Sequence, residues 1–506
     1  MFFYKRVFVL EIIVLLIVSF NWIKEEKKYN DFWKNVPNSG IAKIISFKEE
    51  KEYRNQYVIK YQRYKFLLYT DKKQEFKYGD IITFTGNFQK PKSDYARYLK
   101  QNRIYGILKV EIIEKIDTEK DIFYGIEKFK ENLKENLFKV FDNEQAGFLA
   151  GLLLGDKSEV LENTKEDFQN SSLSHILAIS GMHVVYVTIG TKWVLDLITP
   201  KQRFKNGFMI LFLMFFAIFT GGSPSCLRAC IMCSFVFFSK LVYRQPNFYM
   251  SLLLSLDIIL LINCYYIKSI GLWLSYFSTF GIVYFNLEND ITYKNRFLKF
   301  IFQSIRVSIT CNLMIIPIVW NCYNTVSLTF WISNLIASII IGPILILGYS
   351  FLFLGKFISW FSFIEKNLLN LLFSIANFFG NFKISRILVP SIPIYFWVLY
   401  YALLIGGKYF WSYQEIFQKW KKFVFGSLIF FLVLGIIIFI PKNDSLEIHF
   451  LNVGQGDCTL IVTPKRQTIL IDGGNNEGYD YGKNVVAPYL LKNGFYKIDY
   501  MMVSHR

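Results

Sequence analysis

The sequence predicts a polytopic α-helical membrane protein of about 10–11 spans, with a small β domain near its start and a short α/β segment at its end. Hydrophobic residues make up 53% of the 506 and charged residues only 19%, where soluble domains carry about a quarter. Apolar runs close to the ~20 residues that cross a bilayer recur from one end to the other. The formal net charge is +18, which favours anionic partners such as phospholipid headgroups or nucleic acid. Together these exclude a water-soluble enzyme, a fibrous protein and a disordered chain.

The first apolar run, Val7 to Ile23, is flanked by Lys5 and Arg6 and by Lys24, Lys27 and Lys28, and no small-residue cleavage site follows it. Residues 1–23 therefore read as an uncleaved anchor. Residues 24–135 are polar, and alternating stretches such as 57–61 and 80–85 read as strands. Gly79-Asp80 and Gly86-Asn87 are expected at turns between them. This β domain is basic: Lys24 to Val110 holds 20 basic and 10 acidic residues, with 17 aromatics, no enrichment over the chain as a whole. Residues 122–145 have helical character.

The membrane block is expected over 146–440, with spans near 175–198, 208–222, 226–243, 248–267, 270–287, 299–320, 333–355, 366–381, 388–407 and 423–440. Residues 146–154 are apolar but too short to cross alone. The clusters Lys201/Arg203/Lys205, Lys240/Arg244, Lys294/Arg296/Lys299 and Lys419/Lys421/Lys422 fall on one side when these spans alternate, the side of Lys5 and Arg6. By the positive-inside bias that side is the cytoplasm, which leaves the β domain and the tail outside. Residues 446–506 return to soluble patterning: a strand at 446–450, another at 468–471, a helix near 485–491 and a strand near 498–503. No ATP-binding motif is present. Six of the seven cysteines lie in or beside apolar helices, and Cys226 and Cys230 share a helix face, which reads as packing before it reads as a metal pair.

Three constellations stand out. The string Ser174 to His183 places His175 and His183 eight residues apart, towards one face of a helix, with Ser180-Gly181 between them as a break or close-approach point. The plain alternative is two satisfied interfacial histidines. Thr220 to Ser225 is a second break, followed by Arg228 inside the next span, where a charge is costly unless it faces protein or water. Asp257 shares that ambiguity, and Glu11 in the first run lies either near the interface or facing the bundle. The third is Gly454-Gln455-Gly456-Asp457 with Asp472-Gly473-Gly474, glycine-rich turns that bring backbone close to a ligand.

With these residues in view the chain resembles the ComEC-type competence proteins, which pass transforming DNA across the bacterial cytoplasmic membrane. The segments 76–80, 86–88 and 95–99 look like that family's N-terminal OB-like domain. Leu152 to Asp156, His175 to His183, Ser225 to Ala229 and Leu274 to Phe277 resemble its channel block, and 450–457 with 470–474 is similar to the opening of its metallo-β-lactamase-like domain. The resemblance implies transport of single-stranded DNA, with a DNA receptor and a helicase-like motor as partners, and self-association into a homo-oligomer as a further expectation. Channel roles fall to His175, Ser180, Gly181, His183 and Arg228. A DNA-facing track is expected along Lys90, Lys92, Arg97, Lys100 and Arg103, for which a solvated basic face near anionic lipid is the alternative. The family's hydrolase domain would bind a divalent metal, zinc or manganese, through a His-x-His-x-Asp-His motif. Here only its first residue, His505, precedes Arg506. Gly454, Gln455, Gly456, Asp457, Asp472 and His505 are therefore expected to form a hydrolase-like remnant with no cofactor of its own, as in a truncated product or a split gene. A secondary transporter of a small anionic solute, a membrane-tethered metallohydrolase and a non-functional gene product are the competing readings.

Overall fold

The computed structural model describes residues 2–46, 49–50, 54–72, 74–91, 93–286, 295–354, 360–412, 445–454, 456–474 and 480–504. The expected span at 423–440, the cluster at 419–422, and Lys92, Gln455 and His505 lie outside them. The chain divides into two compact units, Met1–Tyr276 with Ile332–Asn381, and Phe277–Trp331 with Phe382–Arg506.

In the first unit, α1 (Phe2–Lys34) is one helix of 33 residues. It carries neither Gly nor Pro, so nothing interrupts it until the approach to Pro37. The anchor therefore does not give way to the β domain at residue 24. Instead its last turns enter that domain: Phe32 is buried against Phe66 and Phe88, with ring centroids 4.7 and 5.3 Å away.

The β domain is built from β1 (Ser39–Ile44), β2 (Glu49–Glu50), β3 (Arg54–Tyr61), β4 (Tyr64–Asp71), β5 (Asp80–Gln89) and β6 (Ile104–Thr118), with α2 (Ser93–Gln101) between the last two. The order is β1-β5-β6-β4-β3-β2, and β1 also pairs with β3, which closes a five-strand barrel. One pairing, β4 with β6, is parallel, so the domain is not purely antiparallel. Gly79 occupies a turn with φ +88° as expected, but Gly86 sits inside β5 at a register shift against β6. A Cβ there would lie 2.3 Å from the Lys109 carbonyl oxygen, so this glycine serves a bulge and not a turn.

Beyond the barrel follow α3 (Ile122–Phe138), α4 (Asn143–Leu149) and a π-helical turn, Ala150–Leu154. The side chains of Asp121 and Asp142 cap the two helices by accepting from the N–H groups of Tyr124 and Gln145. Residues 146–154 are all buried, in a core shared with α5 (Glu162–Asn170), α12 (Phe330–Leu354) and α13 (Ser362–Gly380). Three further helices, α6 (Gly181–Ile198), α7 (Gln202–Phe219) and α8 (Pro224–Leu241), surround a second core, and α9 (Phe248–Ile262) packs with α1 in a third. α9 ends at Asn263, whose side chain caps the single-turn segment Cys264–Lys268. The 248–267 span is thus a helix of 15 residues, about 22 Å long, followed by a turn. α1 and α9 run parallel: Val18 shares an apolar cluster with Ile259 and Leu260 at one level, and Trp22 meets Tyr265 at another, with ring centroids 4.9 Å apart.

α10 (Ile270–Asn286) leads into the second unit, which contains α11 (Arg296–Tyr323) and α14 (Ile394–Ser412). Pro317 interrupts α11 and removes the N–H that would bond the Leu313 carbonyl. The Tyr400 hydroxyl of α14 donates to that carbonyl instead, at 2.7 Å. A short ladder joins β7 (Thr325–Val326) to β8 (Ile387–Leu388). The tail forms a four-stranded sheet in the order β12-β11-β10-β9, from β9 (Glu447–Phe450), β10 (Thr459–Val462), β11 (Thr468–Ile471) and β12 (Tyr500–Met502), backed by α15 (Ala487–Lys492). The 468–471 strand is therefore the third of this sheet, not the second.

Four described helical segments are long and apolar enough to cross a membrane: Gln202–Phe219, Pro224–Leu241, Ile301–Tyr323 and Phe330–Leu352. Three shorter apolar helices accompany them. The α13 segment, expected at 366–381 as a short span or a re-entrant segment, is not among them. It carries Glu365 and Lys366 near its start, and buries one face in the first core.

Candidate functional site

The breaks at Ser180-Gly181 and Thr220–Ser223 meet around one buried cation. Ser180 is the N-cap of α6, and the His183 Nδ1 accepts from the Ser180 N–H at 3.2 Å with the Ser180 hydroxyl 3.1 Å away. That places the ring proton on Nε2, which is buried without a hydrogen-bond partner. Gly221 and Gly222 take φ +82° and +62°, and Ser223 with Pro224 starts α8. Arg228 lies one turn further on and is 8% exposed. Its Nε donates to the Ser275 Oγ at 2.7 Å, its Nη1 contacts the Met232 Sδ at 3.5 Å, and Ser275 pairs with Ser225 at 3.1 Å. A Cβ on Gly181 would come within 3.3 Å of the Arg228 Nη2, so the glycine makes room for the guanidinium. Among the described residues no carboxylate forms a salt bridge with Arg228. The N-terminal ends of α6 and α8 add partial positive charge to the same corner.

His175 does not share a helix with His183. It lies in the turns before α6 and is exposed. The eight-residue spacing therefore has no helical meaning. Gly155, with φ +80°, packs against the Thr220 carbonyl, where a Cβ would clash at 2.5 Å. This seats the Asp156 loop beside the corner. Burial pushes the Asp156 carboxyl up, but Lys134 at 2.8 Å and the Ser158 hydroxyl at 2.6 Å outweigh it and hold the carboxyl below its ordinary range.

The basic track resolves differently from its spacing. Lys100 donates to Glu26 of α1 at 3.0 and 3.1 Å and lies 4.1 Å from the Tyr29 ring centroid. Arg103, at φ +56°, donates to the Ile262 carbonyl at the end of α9 at 2.6 Å. These two fasten the barrel to α1 and to the end of α9. Lys90 lies 5.3 Å from the Trp33 ring centroid, and Arg97 is exposed. Beside Arg97, Tyr95 and Tyr98 stack at 6.1 Å, Tyr95 faces the Tyr69 hydroxyl at 3.4 Å, and Arg54 covers the Tyr69 ring at 4.2 Å. The unremarkable aromatic fraction of the sequence hides this surface, because the rings come from a strand and a helix that only the barrel brings together.

In the tail, the two glycine-rich turns do meet: the Gly474 N–H donates to the Asp457 carbonyl at 3.0 Å. Gly454 and Gly456 have positive φ, and the Asp457 side chain is exposed. Both Asp472 carboxylate oxygens are taken, by the Ser504 N–H at 2.8 Å and its hydroxyl at 2.7 Å. His449 has a partner that its strand position did not suggest, the Tyr489 hydroxyl at 2.9 Å. Among the described residues, which do not include His505, no three His, Cys, Asp or Glu side chains converge on a metal position. The apolar side of β9 (Ile448 and Phe450) is exposed, so this first strand does not bury the face its alternation suggested.

The apolar helices, the barrel and the buried cationic corner define a membrane protein. Residues 152–414, more than half of the chain, match the family model described as Competence protein, and the chain belongs to that family. It is similar to ComE operon protein 3 of Bacillus subtilis (strain 168), at 22% identity over 457 residues, 84% of this chain. The chain spans about 57% of that relative's length. No solved structure matches.

Proposed function

We propose that this protein conducts single-stranded DNA through the cytoplasmic membrane during competence, with the Arg228 corner as a phosphate-contacting point on the path. The observation that carries the reading is the buried guanidinium with no carboxylate partner among the described residues. Such a charge costs several kcal/mol unless an anion compensates it, and a phosphodiester is an anion that arrives with the cargo. The family match and the relative's name support a role in DNA uptake.

The barrel receives the strand outside. Its strand order, with one parallel pair, agrees with an OB-like fold, whose surfaces bind single strands by charge and stacking. The Arg54, Tyr69, Tyr95, Arg97 and Tyr98 surface supplies both. The protein is multi-pass, with its N-terminus in the cytoplasm. Parallel α1 and α9, with the barrel fastened to the C-terminal ends of both, support that orientation. A DNA receptor, a helicase-like motor and a homo-oligomeric assembly are the partners this role requires, and lipid surrounds the apolar helices. The tail resembles the start of a metallo-β-lactamase-like domain, in which Asp472 is held by Ser504 and, among the described residues, no metal ligand set assembles. The reading is tested by measuring labelled-DNA uptake in cells carrying Arg228→Gln at matched protein levels.

A further inference from the structure

We propose that the pocket between α2 and the turn after α9 binds the phosphate headgroup of an anionic phospholipid from the leaflet on the barrel's side. The pocket has a volume of about 190 Å³ and is lined by Ala96, Arg97, Lys100, Gln101, Tyr265 and Lys268. Its lining thus carries three cations and no carboxylate. Pockets for drug-sized ligands start near ~300 Å³, so this one suits a headgroup and not a whole solute.

One side of α2 forms the first wall. Ala96, Arg97, Lys100 and Gln101 are spaced i, i+1, i+4 and i+5, which groups them on one side of a helix, and Ala96 is too small to fill the space. The segment Cys264–Lys268 forms the second wall. Hydrogen bonds join the two: the Gln101 Nε2 donates to the Lys268 carbonyl at 2.9 Å, and the Asn263 Nδ2 donates to the Gln101 carbonyl at 2.8 Å. The fold therefore holds the walls at a fixed separation. Glu26 stands behind Lys100 at 3.0 Å and offsets that charge. The Lys268 ammonium lies 4.4 Å from the Trp22 ring centroid, and among the described residues no carboxylate pairs with it. The surplus is positive, and a phosphodiester answers it with charge-assisted hydrogen bonds.

The position of the pocket selects lipid as the source of that phosphate. Trp22 lies at the end of the apolar run Val7 to Ile23, where Trp and a snorkelling Lys mark the membrane–water interface. Its ring meets that of Tyr265, a lining residue, at 4.9 Å, so the pocket opens at headgroup level. Phe20, Ile23, Ile262 and Ile267 at the same level are exposed, an apolar surface that acyl chains cover. A phospholipid brings its chains to that surface together with its phosphate, whereas a DNA strand brings a second charged group. A headgroup held between α2 and the turn after α9 ties the barrel to its leaflet, beside the Lys100–Glu26 and Arg103–Ile262 bonds.

The test uses the purified full chain and measures no transport, so its outcome is independent of the transport reading. Native mass spectrometry of the detergent-solubilised protein, titrated with phosphatidylglycerol or phosphatidylcholine, counts the lipid retained. Phosphatidylglycerol is expected to be retained in preference. Lys268→Gln is expected to lower its affinity about fivefold, the effect of one cation near an anionic headgroup, and Lys268→Arg to keep it. Ala96→Phe fills the pocket without changing any charge and is expected to abolish the preference, which gives a second readout should Lys268→Gln fold poorly. Unchanged phosphatidylglycerol retention in both Lys268→Gln and Ala96→Phe would overturn the proposal. So would equal displacement of the lipid by inorganic phosphate, which would mark a free-anion site, or by a single-stranded oligonucleotide, which would assign the pocket to the DNA surface.

Discussion

The Arg228 Nε donates to the Ser275 Oγ at 2.7 Å, and this hydroxyl is the strongest fixed contact of a guanidinium that no described carboxylate neutralises. A positive charge held that way is poised for an anion and expensive without one. Replacing it with neutral Arg228→Gln is therefore expected to leave the melting temperature equal or higher while DNA uptake falls at least tenfold, about 1.4 kcal/mol of lost interaction. Differential scanning fluorimetry and transformation counts check the two halves.

Gly181→Ala should act on the same charge from the opposite side. The added methyl comes within 3.3 Å of the Nη2, so the guanidinium must move off its line to Ser275. Uptake is expected to drop several-fold with a melting temperature close to that of the unsubstituted protein, and Gly181→Ser is expected to do the same.

At the barrel, Lys100→Ala and Glu26→Gln are expected to weaken the same salt bridge and lower stability by similar small amounts, about 0.5–1 kcal/mol for a half-exposed pair. Neither should change single-strand affinity. Tyr98→Ala is expected to reduce affinity by ~1–3 kcal/mol per lost base stack, and Arg97→Ala to flatten its salt dependence. Fluorescence anisotropy with an oligonucleotide at several salt concentrations separates the two sets.

Much of this was legible in the sequence, and what was not has physical causes. The breaks at Ser180-Gly181 and Thr220–Ser223 and the out-of-place Arg228 are local signals, and they converge. Ser275 lay inside a quoted motif, but its bond to Arg228 comes from another helix. Lys100 and Arg103 read as a DNA track because spacing reports charge and not the partner: Glu26 and the Ile262 carbonyl lie 74 and 159 residues away. The His175–His183 spacing misled because helical periodicity was assumed across a segment that turns until Ser180. The run 146–154 is too short to cross alone, and its place in a buried core depends on α12 and α13, which lie far away in the chain.

Below the ordinary carboxylate range the Asp156–Lys134 bridge should become visible. The folded-state Asp156 is depressed by Lys134 and Ser158, so its stabilisation is complete above about pH 4, the unfolded value. It is lost as pH falls through the lower folded value. Asp156→Asn is expected to lower stability at neutral pH and to remove part of this acid dependence, measured by melting temperature against pH.

Tyr400→Phe strands the Leu313 carbonyl that Pro317 leaves open, at an expected cost of ~1–3 kcal/mol. Pro317→Ala in the same chain restores the helical N–H and should recover most of it. Thermal melts of the two single variants and the double variant form the cycle that measures the coupling.

The most direct measurement is uptake of fluorescently labelled DNA by competent cells that carry either the unsubstituted chain or Arg228→Gln at equal membrane abundance. The account predicts that Arg228→Gln cells bind DNA at the surface and fail to internalise it. Equal internalisation by both would contradict a phosphate-contacting role for Arg228.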